Sequence, residues 1–530
     1  MQALPLLVAT AMCAVAGCSS QQAASPPSDA SGAGGTGAVA AGGSGQASAG
    51  SPSGTNGGAA ASASGGRPVT AGTGGGAGLA GASSGGAPAS GGGGAPVNGS
   101  AGSGVSAGAP GAGGGTTGTT SCTITAQKSI SEKIASVGIV QFTTDLAKVD
   151  SATIQFGLDT NYGLTAPVDL TEPSYRTLLL GMKTSHTYHF RIVAISDGKT
   201  CMSADDTIDT GPGPNGLAKP TVVTNTTPDK LYGGYMVTAR WGMNNGGPAM
   251  ILDADGDLVW WYPVEDDVIR ARFSYDGKRM WIRNTSETDG GGWVRRVTLD
   301  GLTEEKFDLT HTTHDLVTLP DGDVGLISHA SNGCWEVVEF NPSTMDLRTV
   351  FNLADAHGST MCQVNYLAYY AGDDSFFVSD YDQSTVVKVG RQGDLKWVLN
   401  GTKSTISGTK WNNQHGIHAL GPDHLIVFSN HGESGQADSL VYELTVDETA
   451  KTATTLLRYD GGLATGFGGD VQRLDNGNLL ITYSSSGVIQ ELGPDNTVLQ
   501  SFTFPIGGTL SYMEKRRSLY GGPPPKINGI

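Results

Sequence analysis

A β-rich unit recurs along the second half of the chain, from about Gly233 to Pro505. Each copy opens with two apolar runs around a Gly/Asp turn, as in Leu316-Val-Thr-Leu-Pro-Asp-Gly-Asp-Val-Gly-Leu-Ile327, and continues with a second hairpin. Four strands per unit, at a spacing of roughly 40 to 50 residues, are typical of the blades of a β-propeller. The sequence therefore predicts an all-β fold with a six-bladed propeller over residues 215–530. The first unit, at Tyr235, is the least regular, so we expect the C-terminal tail to help complete a blade.

The N-terminal part of the chain has a different composition. Residues 1–17 are apolar and end directly before Cys18, which is typical of a bacterial lipoprotein signal peptide, although its start lacks the usual positive charge. We expect Cys18 to be the lipidated mature N-terminus, and Ser19 favours the outer membrane of the bacterial cell envelope. Residues 18–120 are almost entirely Gly, Ala, Ser, Thr and Pro, which predicts a disordered tether because nothing there can form a core.

Residues 121–214 contain short alternating strands separated by turn residues, which predicts a small β-sandwich. The stretch from Leu178 to Ala194, which includes His-Thr-Tyr-His-Phe-Arg-Ile-Val-Ala, resembles the corner and F strand of fibronectin type III domains. The resemblance implies a fibronectin type III-like sandwich ahead of the propeller.

Four cysteines lie outside the leader, and export would place them where disulfides form. Four cysteines allow three pairings. We favour Cys122 with Cys201 and Cys334 with Cys362, because each pair then lies within one folding unit. The alternative for the second pair is two buried free thiols.

The formal net charge is −17, and the tether contributes almost none of it. Proteins that bind nucleic acid need clustered Lys and Arg, so this balance argues against a nucleic-acid partner. The chain has no phosphate-cradling loop of the Walker type, and Gly-x-Gly matches in the tether follow from its composition. We expect no cofactor, and contact with the membrane only through the lipid on Cys18. Whether the protein forms a homodimer stays open.

Polar residues open the first strand of several units, and those strands line the central channel of a propeller. The residues concerned are His314-Asp315, Asn365, Gln414-His415 and Gly469-Asp470. Their side chains are expected to converge at one mouth of the channel. His415 is a candidate nucleophile through a ring nitrogen, and His314 is a candidate proton shuttle. The alternative for each histidine is a hydrogen-bonded structural residue.

From about Leu231 to Pro505 the chain resembles the bacterial arylsulfate sulfotransferases. The residues that carry the resemblance are His314-Asp315 with the following hairpin, Val364-Asn365, Lys396-Trp397-Val-Leu-Asn-Gly401, and Gln414-His415 with Leu425-Ile-Val-Phe-Ser-Asn430. The resemblance implies that His415 takes the sulfuryl group from an aryl sulfate and passes it to a phenol, without a nucleotide sulfate donor. It also implies that His314 is an acid/base or sulfuryl-stabilising residue and Asn365 a donor to the sulfuryl oxygens.

The chain departs from the family pattern at two positions. Gln363 stands where the family has a second histidine, and Tyr381 stands where it has an arginine. Glutamine donates a hydrogen bond but cannot shuttle a proton, and the loss of a fixed cation matters more for a sulfate. We retain Gln363, Tyr381 and Gln414 as candidate substrate-binding residues. Arg272, Arg283, His357 and His431 are candidates to replace the missing arginine.

Two other functions compete with sulfuryl transfer. A propeller that kept the shape and lost the chemistry would bind a carbohydrate, peptide or phenolic ligand at the channel mouth. A metal-dependent lyase or hydrolase would use His311-x-x-His314 or His415-x-x-His418. Residues three apart on a strand point to opposite faces, so neither pair is suited to one ion, and we expect no metal site.

Overall fold

The computed structural model describes residues 121–242, 246–284, 291–358, 362–432, 438–505 and 509–522. These residues belong to one compact unit, Asn98–Ile530. The predicted signal peptide, the lipidated Cys18 and the tether over residues 18–120 lie outside the described residues. In the described ranges, no helix has the length and apolar character that a membrane crossing needs.

Two sheets form the first part of the described chain and enclose one apolar core. Alternate side chains of the longest strand point inward, among them Tyr188, Phe190 and Ile192, and they meet Phe142 and Phe156 from neighbouring strands. This period of two is the pattern of a sheet with one face buried. One sheet has the order β1-β2-β5, and the other has the order β4-β3-β6-β7, with β8 also on β6. The strands are β1 (Ile124–Ile130), β2 (Gly138–Thr144), β3 (Ser151–Gly157), β4 (Leu164–Pro167), β5 (Thr177–Leu179), β6 (Thr187–Ser196), β7 (Lys199–Met202) and β8 (Asp206–Asp209).

Six further antiparallel sheets follow, and within each the strands pair in chain order. We number them sheet 1 to sheet 6. Sheet 1 contains β10 (Tyr235–Trp241), β11 (Ala249–Asp253) and β12 (Leu258–Tyr262); sheet 2 contains β13 (Val268–Phe273), β14 (Arg279–Asn284), β15 (Trp293–Thr298) and β16 (Glu304–Asp308); sheet 3 contains β17 (Thr312–Thr318), β18 (Val324–His329), β19 (Trp335–Phe340) and β20 (Leu347–Asn352).

The remaining sheets repeat the same plan. Sheet 4 contains β21 (Val364–Tyr370), β22 (Ser375–Asp380), β23 (Thr385–Gly390) and β24 (Leu395–Leu399); sheet 5 contains β25 (Asn412–Gly421), β26 (His424–His431), β27 (Leu440–Asp447) and β28 (Thr452–Asp460); sheet 6 contains β29 (Asp470–Arg473), β30 (Leu479–Tyr483), β31 (Val488–Leu492) and β32 (Val498–Thr503). The described helices are a single turn, α1 (Ala354–His357), and two 3₁₀ turns, Pro173–Tyr175 and Pro228–Lys230. The predicted all-β class is confirmed, and the sheets are consistent with a propeller-like fold.

Segments from outside the repeat complete the first and last sheets. A strand that follows the sandwich, β9 (Thr221–Thr224), pairs with β32 at the edge of sheet 6. Two short C-terminal strands, β33 (Thr509–Leu510) and β34 (Glu514–Arg516), pair with β10 of sheet 1. The backbone of Lys515 also exchanges two hydrogen bonds with the Gln472 side chain on sheet 6. The C-terminal tail therefore adds to sheet 1 and ties it to sheet 6.

A buried ion cluster joins the first strands of the sheets. Arg270 on β13 makes a two-pronged contact with Asp315 on β17, at 2.5 and 2.9 Å, and lies 3.9 Å from Asp470 on β29. The rings of Tyr366 and Tyr512 lie over its guanidinium, at 4.8 and 4.6 Å from the ring centres. Burial opposes the charge of Arg270, but Asp315, Tyr366 and Asp470 together outweigh it and hold the pKa of the guanidinium above its ordinary value. We call these five residues the plug.

Both favoured disulfides are present. Cys122–Cys201 ties the start of the sandwich to β7, with 5.9 Å between the Cα atoms. Cys334–Cys362 links the turn before β19 to the segment before β21, with 5.2 Å between the Cα atoms. The prediction of these two pairs is confirmed.

Lys183 makes one of the contacts between the sandwich and sheet 1. Lys183 lies 3.3, 2.8 and 2.7 Å from Asp253, Asp255 and Asp257 in the turn between β11 and β12. These carboxylates are close enough together to hold a metal ion. The ammonium group of Lys183 already supplies the positive charge, so we interpret the cluster as a joint between the two folding units.

Replacing Arg270 with methionine should destabilise the protein by about 3–5 kcal/mol, because Asp315 and Asp470 would then lose their buried cation. Urea unfolding followed by circular dichroism measures the difference. The control is Arg279→Met, which breaks a half-exposed pair with Glu305 and should cost no more than about 1 kcal/mol. Equal losses in the two variants would contradict the structural role of the plug.

Candidate active site

A β-bulge interrupts the first strand of sheets 2 to 5 at the same level. The residues without a one-to-one partner on the next strand are Ile269, His314-Asp315, Asn365 and His415-Gly416. A bulge turns side chains away from the regular alternation of the strand. Three of the four bulges hold His314, Asn365 and His415, the residues that sequence reasoning selected as catalytic. The same kind of bulge therefore positions His314, Asn365 and His415.

His415 is held in one tautomer by Asn430. The side-chain nitrogen of Asn430 donates to the carbonyl oxygens of Thr465 and Gly468, at 3.0 and 2.7 Å. The amide oxygen must then face Nδ1 of His415, 2.5 Å away, so Nδ1 carries the hydrogen. The lone pair is left on Nε2, which accepts a 3.2 Å hydrogen bond from the backbone N–H of Gly468. His415 thus has the form that a nitrogen nucleophile requires.

Burial keeps the His415 ring neutral. It lowers the pKa of His415 to about 4, an effect that the hydrogen bond to Asn430 partly offsets. Tyr381 lies edge-on to the ring, with 5.1 Å between the ring centres. At neutral pH Nε2 therefore carries a lone pair and no proton.

His314 lies in a strained and buried position. Its φ is 53°, in the left-handed region that residues other than glycine rarely adopt. Nδ1 lies 2.9 Å from Oγ1 of Thr313, and the ring lies 5.0 Å from that of Trp335. Burial, and then the nearby His415, Arg283 and His329, lower the pKa of His314 to about 3. His314 and His415 are therefore near enough to affect each other's charge.

Arg283 supplies a buried positive charge next to His314. Its guanidinium donates to the carbonyl oxygens of Trp293, at 2.7 Å, and Thr312, and to the side chain of Asn284. Nε has no acceptor, and no carboxylate pairs with Arg283 in the described part of the chain. Burial lowers the pKa of the Arg283 guanidinium to about 9. An anion bound in this region would be a counterion that the described residues do not provide.

The two amides at the site differ in what they can offer a ligand. Asn365 donates to the backbone oxygen of Gln414 at 2.9 Å, while its own side-chain oxygen is buried and has no described partner. The Gln414 side chain has its hydrogen-bonding groups in use: it accepts from Trp411 and donates to Ser379 and to the backbone oxygens of Asp380 and Thr385. Gln414 is therefore placed to fix the loop beside His415 and not to contact a substrate.

The two positions that depart from the family pattern lie near each other. The backbone of Gln363 bonds to that of Tyr381 and to the carboxylate of Asp380, and its side chain is half-buried. Asp380 in turn lies 3.0 Å from His357 on α1. The aromatic ring of Tyr381 is against His415, where a guanidinium would be expected from the resemblance. Of the candidates to replace that arginine, Arg283 is the one whose charge acts on His314.

His415 and His418, one of the two histidine pairs considered as metal ligands, lie on opposite sides of the plug. His418 lies beyond the plug from His415, and its Nδ1 accepts a hydrogen bond from the backbone of Arg473 at 3.0 Å. Sequence reasoning missed other residues of the site: it gave Asn430, Gly468 and Trp335 no role. Asn430 could have been suspected from its place at the end of the strand paired with that of His415. Gly468 and Trp335 gave no such signal.

The fold and the site together define a propeller-like all-β protein with a neutral, buried histidine pair suited to group transfer. Residues 329–504 match the family model described as arylsulfotransferase (ASST). The matched segment includes Asn365, His415 and Asn430, and the match supports the predicted arylsulfotransferase family. No curated protein matches the sequence.

Solved structures resemble the chain only distantly. TolB from Acinetobacter baumannii has 11% identity and a TM-score of 0.40, over 63% of this chain and 80% of that one. A protein of unknown function from Bacteroides caccae has 14% identity and a TM-score of 0.37, over 53% and 98%. An auxiliary nutrient binding protein from Bacteroides ovatus has 11% identity and a TM-score of 0.34, over 72% and 87%.

Because His415 is buried in its neutral form, we expect the free energy of unfolding to fall in acid. The pKa of His415 is about 4 in the folded protein and near 6.5 in an unfolded chain, so between these values the unfolded chain binds more protons. Stability should therefore fall as pH is lowered from about 6.5 to 4. Urea midpoints for His415→Gln should fall less steeply over this range than those of the unmodified protein. The exposed control His186→Gln should keep the original slope; identical slopes for all three proteins would contradict the prediction.

Proposed function

We propose that this protein transfers a sulfuryl group from an aryl sulfate to a phenol, with His415 as the covalent carrier. An aryl sulfotransferase-like function is supported in general by the family match over residues 329–504. The observation that carries the finer proposal is the tautomer of His415: Asn430 holds the hydrogen on Nδ1, so the lone pair is on Nε2.

In the first step the Nε2 lone pair of His415 attacks the sulfur of the donor. An N–S bond forms, the bond between sulfur and the aryl oxygen breaks, and the phenolate leaves with that electron pair. The ring becomes positively charged while it carries the sulfuryl group. Asn430 stabilises this ring because its amide oxygen already accepts the Nδ1 hydrogen.

In the second step the oxygen of an acceptor phenol attacks the sulfur. The N–S bond breaks, its electron pair returns to Nε2, and the phenolic proton passes to His314. His314 is uncharged in the empty site, so it can accept that proton. The charge of a bound sulfuryl group would make it a better base than it is without a ligand.

Negative charge on the sulfuryl oxygens is offset by groups fixed before the substrate arrives. The backbone N–H of Gly468 points at Nε2 and would meet a sulfuryl oxygen once the nitrogen is substituted. Arg283 adds a nearby positive charge that has no carboxylate partner among the described residues. Fixed donors of this kind each typically contribute about 10² to 10³ in rate. We propose that Arg283 performs part of the work that an arginine at the position of Tyr381 would perform.

One observation favours the second candidate function, a binding module without catalysis. Tyr381 lies against His415, and Gly468 occupies its nucleophilic nitrogen. An aromatic wall and a satisfied histidine would suit a phenolic ligand that is held and not modified. The two functions differ in whether His415 becomes sulfated.

The test is the release of 4-nitrophenol from 4-nitrophenyl sulfate by the full-length protein with phenol as acceptor. His415→Ala should lower the rate by about 10³-fold or more, because the covalent route is lost. The control His186→Ala should leave the rate unchanged. Intact-mass spectrometry without acceptor should show one added sulfuryl group on the unmodified protein and none on His415→Ala. No release by a folded unmodified protein would refute catalysis and favour the binding module.

We propose further that sheets 1 to 6 are the blades of one six-bladed propeller and that residues 121–214 form a fibronectin type III-like module. The closing contacts of β9 and β34 support the first proposal, and the two-sheet core supports the second. Sequence alone supports a signal peptide over residues 1–17, a lipid on Cys18, and display of the ring from the outer membrane on the tether.

Cys18→Ser should abolish lipid attachment if this proposal is correct. Cells that express the full-length protein and are fed radiolabelled palmitate should label the unmodified chain and not the variant. Equal labelling of the two chains would refute Cys18 as the anchor.

A further inference from the structure

A cavity of about 280 Å³ opens at the mouth of the channel opposite to His314 and His415. The plug separates it from the candidate active site: Arg270 and Tyr366 lie one level above Arg272 and Ala368 on the same strands. Gly416 tightens that barrier, because a Cβ there would come within 2.3 Å of the Asp470 carboxylate. The cavity is thus a separate compartment, and sulfuryl transfer gives it no role.

Arg272 places a positive charge at the cavity, and no described carboxylate forms a hydrogen bond with it. No described residue accepts a hydrogen bond from its guanidinium, and its nearest carboxylate, Glu514, lies 3.9 Å from Nε. Glu514 also serves Arg516, at 3.4 Å, so two arginines share one carboxylate. The terminal nitrogens of Arg272 are therefore available to a ligand.

His418 adds a hydrogen-bond donor beside Arg272. Its Nδ1 accepts the backbone N–H of Arg473, so the neutral ring carries its hydrogen on Nε2. Burial, together with the positive charges of Arg272 and Arg473, lowers the pKa of His418 to about 4, and the ring is neutral at pH 7. No described residue accepts from Nε2, and the side chain lines the cavity.

Apolar and aromatic side chains form much of the remaining lining, and the charged residues Arg473, Asp475, Glu514 and Arg516 also line the cavity. Ile417, Val317 and Ala368 form part of its wall, and half-buried Tyr275 and Tyr370 lie at its lining. Ligand sites of this type combine apolar walls with a few placed polar groups, and sites for drug-sized molecules measure about 300–1,000 Å³. The volume here suits a single ring with one charged substituent.

We propose that this cavity binds a small aromatic carboxylate, with the carboxylate on Arg272 and His418 and the ring against the apolar wall. A guanidinium with free terminal nitrogens matches the two oxygens of a carboxylate. The proposal does not depend on sulfuryl transfer, because the plug separates the two compartments.

The probe is benzoate, titrated calorimetrically into the full-length protein. Arg272→Gln should raise the dissociation constant about ten-fold or more, because it removes charged hydrogen bonds to the carboxylate. Arg272→Lys, which keeps the charge and loses the planar fork, should weaken binding less. The control Arg279→Gln, which makes the same charge change at a half-exposed position, should leave binding unchanged. No saturable binding of benzoate by the unmodified protein would overturn the proposal.

Two further ligands and one variant test the chemistry without altering Arg272. Benzamide has the ring without the charge, and inorganic sulfate has the charge without the ring; both should bind at least ten-fold more weakly than benzoate. Equal binding of benzamide would refute recognition of the charge, and equal binding of sulfate would refute recognition of the ring. His415→Ala should bind benzoate like the unmodified protein, and a loss of binding there would place the ligand at the other mouth.

Discussion

The ion pair between Arg270 and Asp315 is the interaction on which the rest of the ring depends. A fully buried guanidinium is tolerated only when its charge is paired, and here the carboxylates come from β17 and β29. Asp315 also accepts the backbone N–H of Leu367 on β21, and Tyr512 from the tail covers the guanidinium. The pair can therefore form fully only when sheets 2, 3, 4 and 6 and the tail are all in place.

The plug lies between the candidate active site and the opposite cavity. On one side of the plug, bulges place His314 and His415 in a buried region where both rings are neutral. On the other side, Arg272 and His418 line the cavity. No described residue accepts a hydrogen bond from the Arg272 guanidinium or from Nε2 of His418. A single strand such as β13 thus contributes Arg270 to the plug and Arg272 to the cavity, two residues apart, as the alternation of a strand requires.

Much of the fold could be predicted because a strand with one or two buried faces leaves a local pattern. The hairpin at Leu316–Ile327 has its turn at Asp321-Gly322, and the cysteine pairs follow from the folding units in which they lie. The bulges could not be predicted, since a shift of one residue leaves no mark in composition. Arg283 is on the second strand of sheet 2, in a run that resembles any buried strand, and its approach to His314 is a contact between sheets. The role of Gln414 also escaped prediction, because its four partners are assembled only in the folded ring.

Pairing between strands far apart in the sequence affects the order in which the protein can fold: β9 pairs with β32, and β34 pairs with β10. During synthesis, β10 lacks its partners β33 and β34 until residues 509–516 have been made. Contacts between such distant positions form slowly and leave strand edges exposed in the meantime. If the chain is exported, as its N-terminal sequence predicts, β33 and β34 cross the membrane well after β10, the strand with which they pair. Sheet 1 is then expected to stay incomplete until residues 509–516 have crossed, and a chain shortened before these residues would leave β10 without these partners permanently.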